Sequence, residues 1–256
     1  MAAPVLLVLT AFLQTIVLSY AVLRTGRHGW RLFVALFMAF YGISTLMVAV
    51  EAVYLPDTLP LDIVLPLLVN GGMTAALFSG VAVLVWGRGH LQAVTPDKGV
   101  SVSWAPWTGK FVLIGVSWTI LFVVFGALVF LPLAEMLAPE ALAVYTNLDM
   151  PAWVLPFQLV RGMLWAALVL PLLLLMRGSR WATALTTGLL FAVPMGTNLL
   201  RATSLPIGLL LAHPVEVLGE NFIFGWLVAR ILVGKRQSMR QPEEIMFTVP
   251  SPEIQL

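Results

Sequence analysis

Seven long apolar runs, separated by short stretches of Gly, Pro and charge, leave this chain few folds to choose from. They lie at about residues 4–23, 31–54, 62–86, 111–134, 152–176, 181–200 and 211–234. A helix needs about 20 apolar residues to cross the hydrocarbon layer of a bilayer. Within that layer only a helix or a closed barrel satisfies every backbone polar group. The runs have helical length, so the expected fold is an all-α integral membrane bundle of seven transmembrane helices over residues 1–236. Residues 237–256 read as a short cytoplasmic tail, broken by Pro242, Pro250 and Pro252. Charge is correspondingly scarce: 10% of the 256 residues, with 60% hydrophobic, against about 25% charged in a soluble domain. No length is left for a separate soluble domain, and the surface is expected to face the lipid bilayer.

The net charge of +2 is not a nucleic-acid footprint, because the basic residues sit at helix ends and in short loops rather than on one folded face. Their alternation sets the topology instead. Arg24, Arg27 and Arg31 occupy the first connection, Arg88, Lys98 and Lys110 the third, and Arg177 and Arg180 the fifth; Lys235, Arg236 and Arg240 follow the last helix. The second and fourth connections contain no Lys or Arg and hold Asp57, Asp62, Glu135, Glu140 and Asp149, while the sixth has only Arg201. By the positive-inside rule the odd connections and the C-terminus are cytoplasmic and the N-terminus is outside, which requires an odd number of spans. The first run is followed, not preceded, by arginines, so it reads as an anchor rather than a cleaved signal peptide. The stretch 202–212 is apolar but too short to span and reads as an interfacial, re-entrant or helix-extending segment. With no cysteine in the chain, thiol nucleophiles, disulfides and Cys-based metal sites are excluded.

A charged side chain at mid-membrane costs roughly 2.5–3.5 kcal/mol on insertion scales, so polar residues inside the runs mark function or a buried pair. Arg161 lies about ten residues into the fifth helix, roughly 15 Å deep at 1.5 Å per residue. Gln158 shares its face at a spacing of three. On the last helix His213, Glu216 and Glu220 fall on one face, with Asn221 beside them; Glu51 ends the second helix and Asn70 lies in the third. These residues come from helices of opposite direction, yet all fall in the outer half of the membrane. That placement points to a polar pocket open to the outside, with Gln158, Arg161, His213, Glu216, Glu220, Asn221, Glu51 and Asn70 as candidate ligand-binding residues. Arg161 cannot lose its proton and needs a carboxylate or an anion; Glu220 matches it best in depth. The structural alternatives are equally definite: Pro214 in a first turn would make Glu216 a helix-start acid, and Glu51 could simply reach the headgroups. Two small-residue stripes, Gly72-Ala76-Gly80 and Ala184-Gly188-Ala192-Gly196, read as packing faces.

Three function classes fit this pattern. A binding or transport protein would hold a small polar molecule, a lipid headgroup or an ion in the outer pocket. An intramembrane hydrolase or metal-dependent enzyme would use His213, Glu216 and Glu220. A non-catalytic subunit would pack on another membrane protein through its small-residue stripes. The sequence names no cofactor, and no lysine on the last helix is available for a retinal Schiff base.

Two stretches carry a resemblance. Phe157-Gln158-Leu159-Val160-Arg161-Gly162 with Trp165, and His213-Pro214-Val215-Glu216 followed by Asn221-Phe222-Ile223-Phe224-Gly225, resemble a family of bacterial polytopic membrane proteins. The resemblance implies a bacterial inner-membrane location and Gln158, Arg161, His213, Glu216 and Asn221 as motif positions. It implies no activity.

Overall fold

A computed structural model describes residues 3–25, 28–51, 61–86, 107–140, 142, 152–199 and 206–233. Every regular element among them is helical. Seven helices have 20 or more residues: α1 (Ala3–Leu23), α2 (Trp30–Glu51), α3 (Val64–Trp86), α4 (Trp107–Leu137), α5 (Val154–Leu175), α6 (Arg180–Leu199) and α7 (Ile207–Leu232). All but α6 are long and apolar enough to cross a membrane, six in total.

The exception has a physical reason. Thr183, Thr186, Thr187, Thr197 and Asn198 lower the hydropathy of α6, but most of the helix is buried against protein, where apolarity toward lipid is not required. Its threonine hydroxyls donate to carbonyls one turn back: Thr186 to Ala182 at 2.7 Å, Thr187 to Thr183 at 2.8 Å and Thr197 to Val193 at 2.6 Å. They are thereby satisfied inside their own helix.

Contacts between neighbours close the helices into a ring in the order α1, α6, α7, α4, α5, α2, α3 and back to α1. The tightest crossings are made at glycines. A Cβ on Gly115 would stand 2.6 Å from the Leu159 carbonyl oxygen and one on Gly162 2.6 Å from the Trp118 Cβ, which brings the α4 and α5 backbones together. Gly188 and Gly225 do the same between α6 and α7, where a Cβ on Gly225 would lie 2.6 Å from the Thr187 oxygen. The two expected stripes therefore differ. Gly188 and Gly196 are filled by Phe222 and Leu218 of α7, whereas Gly72 and Gly80 leave 3.6 and 3.8 Å to Tyr41 and Phe33 of α2. There the small α3 residues receive a stacked ladder of Phe33, Phe37 and Tyr41. α3 and α4 are the least buried spans.

Helix bounds follow the expected runs with two extensions. α4 begins at Trp107, so that residue and Lys110 lie in its first turn, with the Lys110 ammonium 5.3 Å from the Trp107 ring centroid. α7 begins at Ile207, after Pro206 at its N-cap, which makes residues 207–212 helical; Ala202–Leu205 and the 237–256 tail lie outside the described residues. Pro214 consequently sits inside α7 rather than in its first turn, and Glu216 is not a helix-start acid. Two helices contain a π turn, Gly42–Leu46 in α2 and Gly126–Phe130 in α4.

The basic ends gather on one side. The Arg177 backbone N–H donates to the Arg24 carbonyl at 2.7 Å, next to a Thr25–Met176 bridge, and the Arg180 guanidinium donates to the Arg230 carbonyl at 3.1 Å. Trp30 and Trp181 are exposed at this level, the placement of interfacial anchors.

Candidate polar site in the bundle

α5 carries Gln158 and Arg161 one turn apart on its buried face, 0% and 3% exposed. Arg161 is 16 residues from Arg177, about 24 Å along the axis from the basic end. Its guanidinium forms an ion pair with Glu51 at the end of α2. It also lies over two indole faces, 4.5 Å from the Trp165 ring centroid and 5.4 Å from that of Trp118, a desolvated cation–π arrangement. Gln158 ties the group together, because its Oε1 accepts from the Trp118 Nε1–H at 2.8 Å and from Arg161 Nη1 at 3.5 Å.

The carboxylate that closes on Arg161 is thus Glu51, where depth along the sequence favours Glu220. Glu220 is nonetheless close by, within electrostatic range of Glu216, Arg161 and Glu51. It is 3% exposed, and its Oε1 finds no hydrogen-bond donor among the described residues. Asn221, 2% exposed, spends its amide on the Val217 carbonyl at 2.9 Å and leaves Oδ1 without a donor. The Trp165 Nε1–H likewise has no acceptor there. Above them His213 Nδ1 meets Glu216 Oε2 at 2.7 Å, with the Phe130 ring edge-on to the imidazole at 5.3 Å.

Toward the basic end the group is closed by aromatic rings. Trp118, Trp165, Phe191 and Phe224 are each 2% exposed or less, with centroid separations of 4.5 to 5.8 Å. The π turn of α4 faces the same group, with Gly126 beside Glu216.

Seven of the eight residues singled out in the sequence fall in or beside this site. Asn70 does not: it is exposed on α3, a helix that packs on α1 and α2. Arg201 lies outside the described residues. Sequence reasoning named Trp165 and Phe224 only as part of the resemblance and passed over Trp118 and Phe191, although Trp118 and Trp165 each lie eleven residues beyond the start of their helices. At that depth an indole N–H is far from the headgroup belt and requires a protein partner.

A second polar chain crosses the bundle between α1, α6 and α2. The Gln14 amide donates to Thr197 Oγ1 at 3.1 Å and to Asn198 Oδ1 at 3.3 Å, and the Asn198 amide donates to the Ser44 carbonyl at 3.0 Å. Ser44 lies in the π turn of α2, where the helical ladder is interrupted and a side chain can take up a carbonyl.

Among the described residues no three His, Asp or Glu side chains come together as metal ligands. No family model, curated protein or solved structure matches the chain, so its own geometry carries the functional assignment.

Proposed function

We propose that this chain is a seven-span bacterial inner-membrane protein, N-terminus outside and C-terminus cytoplasmic, that binds or carries a small polar ligand in the outer half of its bundle. The membership suggested by the Phe-Gln-x-x-Arg-Gly and His-x-x-Glu motifs belongs to the same reading. In favour of seven spans, α6 runs antiparallel to both α1 and α7: its start meets Arg230 and its end meets Gln14.

One observation carries the ligand reading. Two buried acceptors, Glu220 Oε1 and Asn221 Oδ1, find no donor among the described residues, and an unmet polar atom in a low-dielectric interior costs roughly 1–3 kcal/mol. With Arg161 already held by Glu51, two acceptors and one indole N–H, that of Trp165, are left over among the described residues, and the excess of acceptors calls for a donor. The fitting class is therefore a small ammonium or guanidinium compound, ethanolamine-type headgroups included, seated by carboxylate and aromatic faces. The aromatic floor favours a bound ligand over an open channel. Purified protein is expected to gain thermal stability with methylammonium, ethanolamine or guanidinium. Glu220→Gln is expected to fold and lose that gain. A set of probes that leaves wild type unmoved, or a Glu220→Gln variant that responds like wild type, would overturn the reading.

The His213–Glu216 contact of 2.7 Å favours one second reading, a base and its orienting carboxylate at the mouth of the pocket. Under it, His213→Gln abolishes turnover of a substrate without affecting the ammonium-dependent stabilisation.

A further inference from the structure

At the opposite end of the molecule from the polar site, Arg24, Arg177 and Arg180 gather where α1 and α5 end and α6 begins, with buried donors and, among the described residues, no counter-charge. Arg24 and Arg177 are locked together by the 2.7 Å backbone hydrogen bond and the adjoining Thr25–Met176 bridge. The Arg24 guanidinium lies against Gly178, so close that a Cβ there would stand 2.5 Å from Nη2; the φ of +99° at Gly178 turns the chain around it. Arg180 follows two residues later and opens α6; its Nη2 is spent on the Arg230 carbonyl, which leaves Nε for a ligand. Arg24 Nε and Nη2, Arg177 Nη1 and Arg180 Nε are all shielded from solvent and find no acceptor among the described residues.

The described acids lie elsewhere: Glu51 and Glu135 near the far ends of α2 and α4, Asp62 just before α3, Glu140 just after α4, and Glu216 and Glu220 in the polar site. Guanidinium groups that share a turn repel one another unless an anion sits between them. Planar N–H forks match the oxygens of a phosphate in pairs. The first turn of α6 adds to the attraction. Ser179 Oγ accepts the Ala182 N–H at 3.2 Å, which leaves the N–H groups of Arg180 and Trp181 ahead of it, at the positive end of the helix dipole.

We propose that the Arg24–Arg177–Arg180 corner binds a phosphate group, supplied either by an anionic phospholipid headgroup of the surrounding leaflet or by a soluble phosphate compound. A basic corner at helix ends, at the level where exposed tryptophans mark the interface, suits a headgroup. This inference stands apart from the reading of the outer pocket.

The experiment is thermal unfolding of the full chain in detergent, titrated with phosphatidylglycerol, with phosphatidylcholine and with inorganic phosphate. Phosphatidylglycerol is expected to raise Tm in a saturable way and phosphatidylcholine is not. Inorganic phosphate producing the same saturable shift would identify a soluble source. Arg24→Gln is expected to weaken half-saturation at least about tenfold, since it removes a charge-assisted, bidentate pair. Arg24→Lys, which keeps the charge, should fold even where the glutamine variant does not and should still bind measurably less well. Arg31→Gln, at an exposed arginine on the same side, is expected to leave the curve unchanged. Equal loss from Arg31→Gln and Arg24→Gln would reduce the effect to general surface charge, and an unaltered curve in Arg24→Lys and Arg24→Gln would overturn the site.

Discussion

Arg161 and Glu51 show how a single pair can decide whether this bundle holds. Arg161 is buried and Glu51 only partly so, and removing the glutamate takes away the carboxylate that closes on a buried guanidinium. Glu51→Gln is expected to lower stability by up to about 3 kcal/mol, the low end of the cost of breaking a buried ion pair from one side, since Gln158 and two indoles still hold the guanidinium. Replacing both, as Arg161→Met with Glu51→Leu, should recover much of that loss in thermal unfolding. If the single variant unfolds at the wild-type temperature, the ion pair does not support the fold. Arg161 and Gln158 were legible in the sequence because hydrocarbon makes polar side chains conspicuous. The identity of the partner was not. Glu51 lies beyond the π turn at Gly42–Leu46, which changes the angular position of every later α2 residue, and regular helical spacing carries no trace of it. Glu220, matched by depth alone, emerges instead as the carboxyl without a donor.

Helix crossings separate glycines that are required from glycines that are merely small. Gly225 has the Thr187 oxygen 2.6 Å from where a Cβ would stand, while Gly80 has 3.8 Å of clearance. Gly225→Ala should therefore destabilise by about 1–3 kcal/mol, as overpacking does. Gly80→Ala should stay within about 0.5 kcal/mol of wild type, as unconstrained positions do. Both values come from the same detergent unfolding curves, and equal effects would remove the distinction between the stripes. The two stripes looked alike in sequence because spacing reveals smallness but not the distance to the neighbour. Helix ends were legible to within a few residues. α4 and α7 both start four residues early, and in α7 Pro214 falls inside the helix rather than in its first turn, because a proline is accepted inside a span when neighbouring helices cover the freed backbone.

For the whole molecule, the apolar runs announced an all-helical bundle with helices fit to cross a membrane, whereas the order of helices around the ring could not be read from one chain. The absence of cysteine makes topology directly measurable with single-cysteine variants. Glu140→Cys should react with a membrane-impermeant maleimide in intact cells, and Lys98→Cys and Ser251→Cys only after permeabilisation. Labelling of Ser251→Cys from outside would mean that α6 does not cross. The ring also imposes an order in time on manufacture. Gln14 finds Thr197 only after another 183 residues have been made, roughly 10–35 s at ribosomal speeds of 5–20 residues per second. Until then the Gln14 amide lacks the Thr197 and Asn198 acceptors that the assembled ring gives it, so the first and sixth helices cannot be joined before synthesis is nearly over.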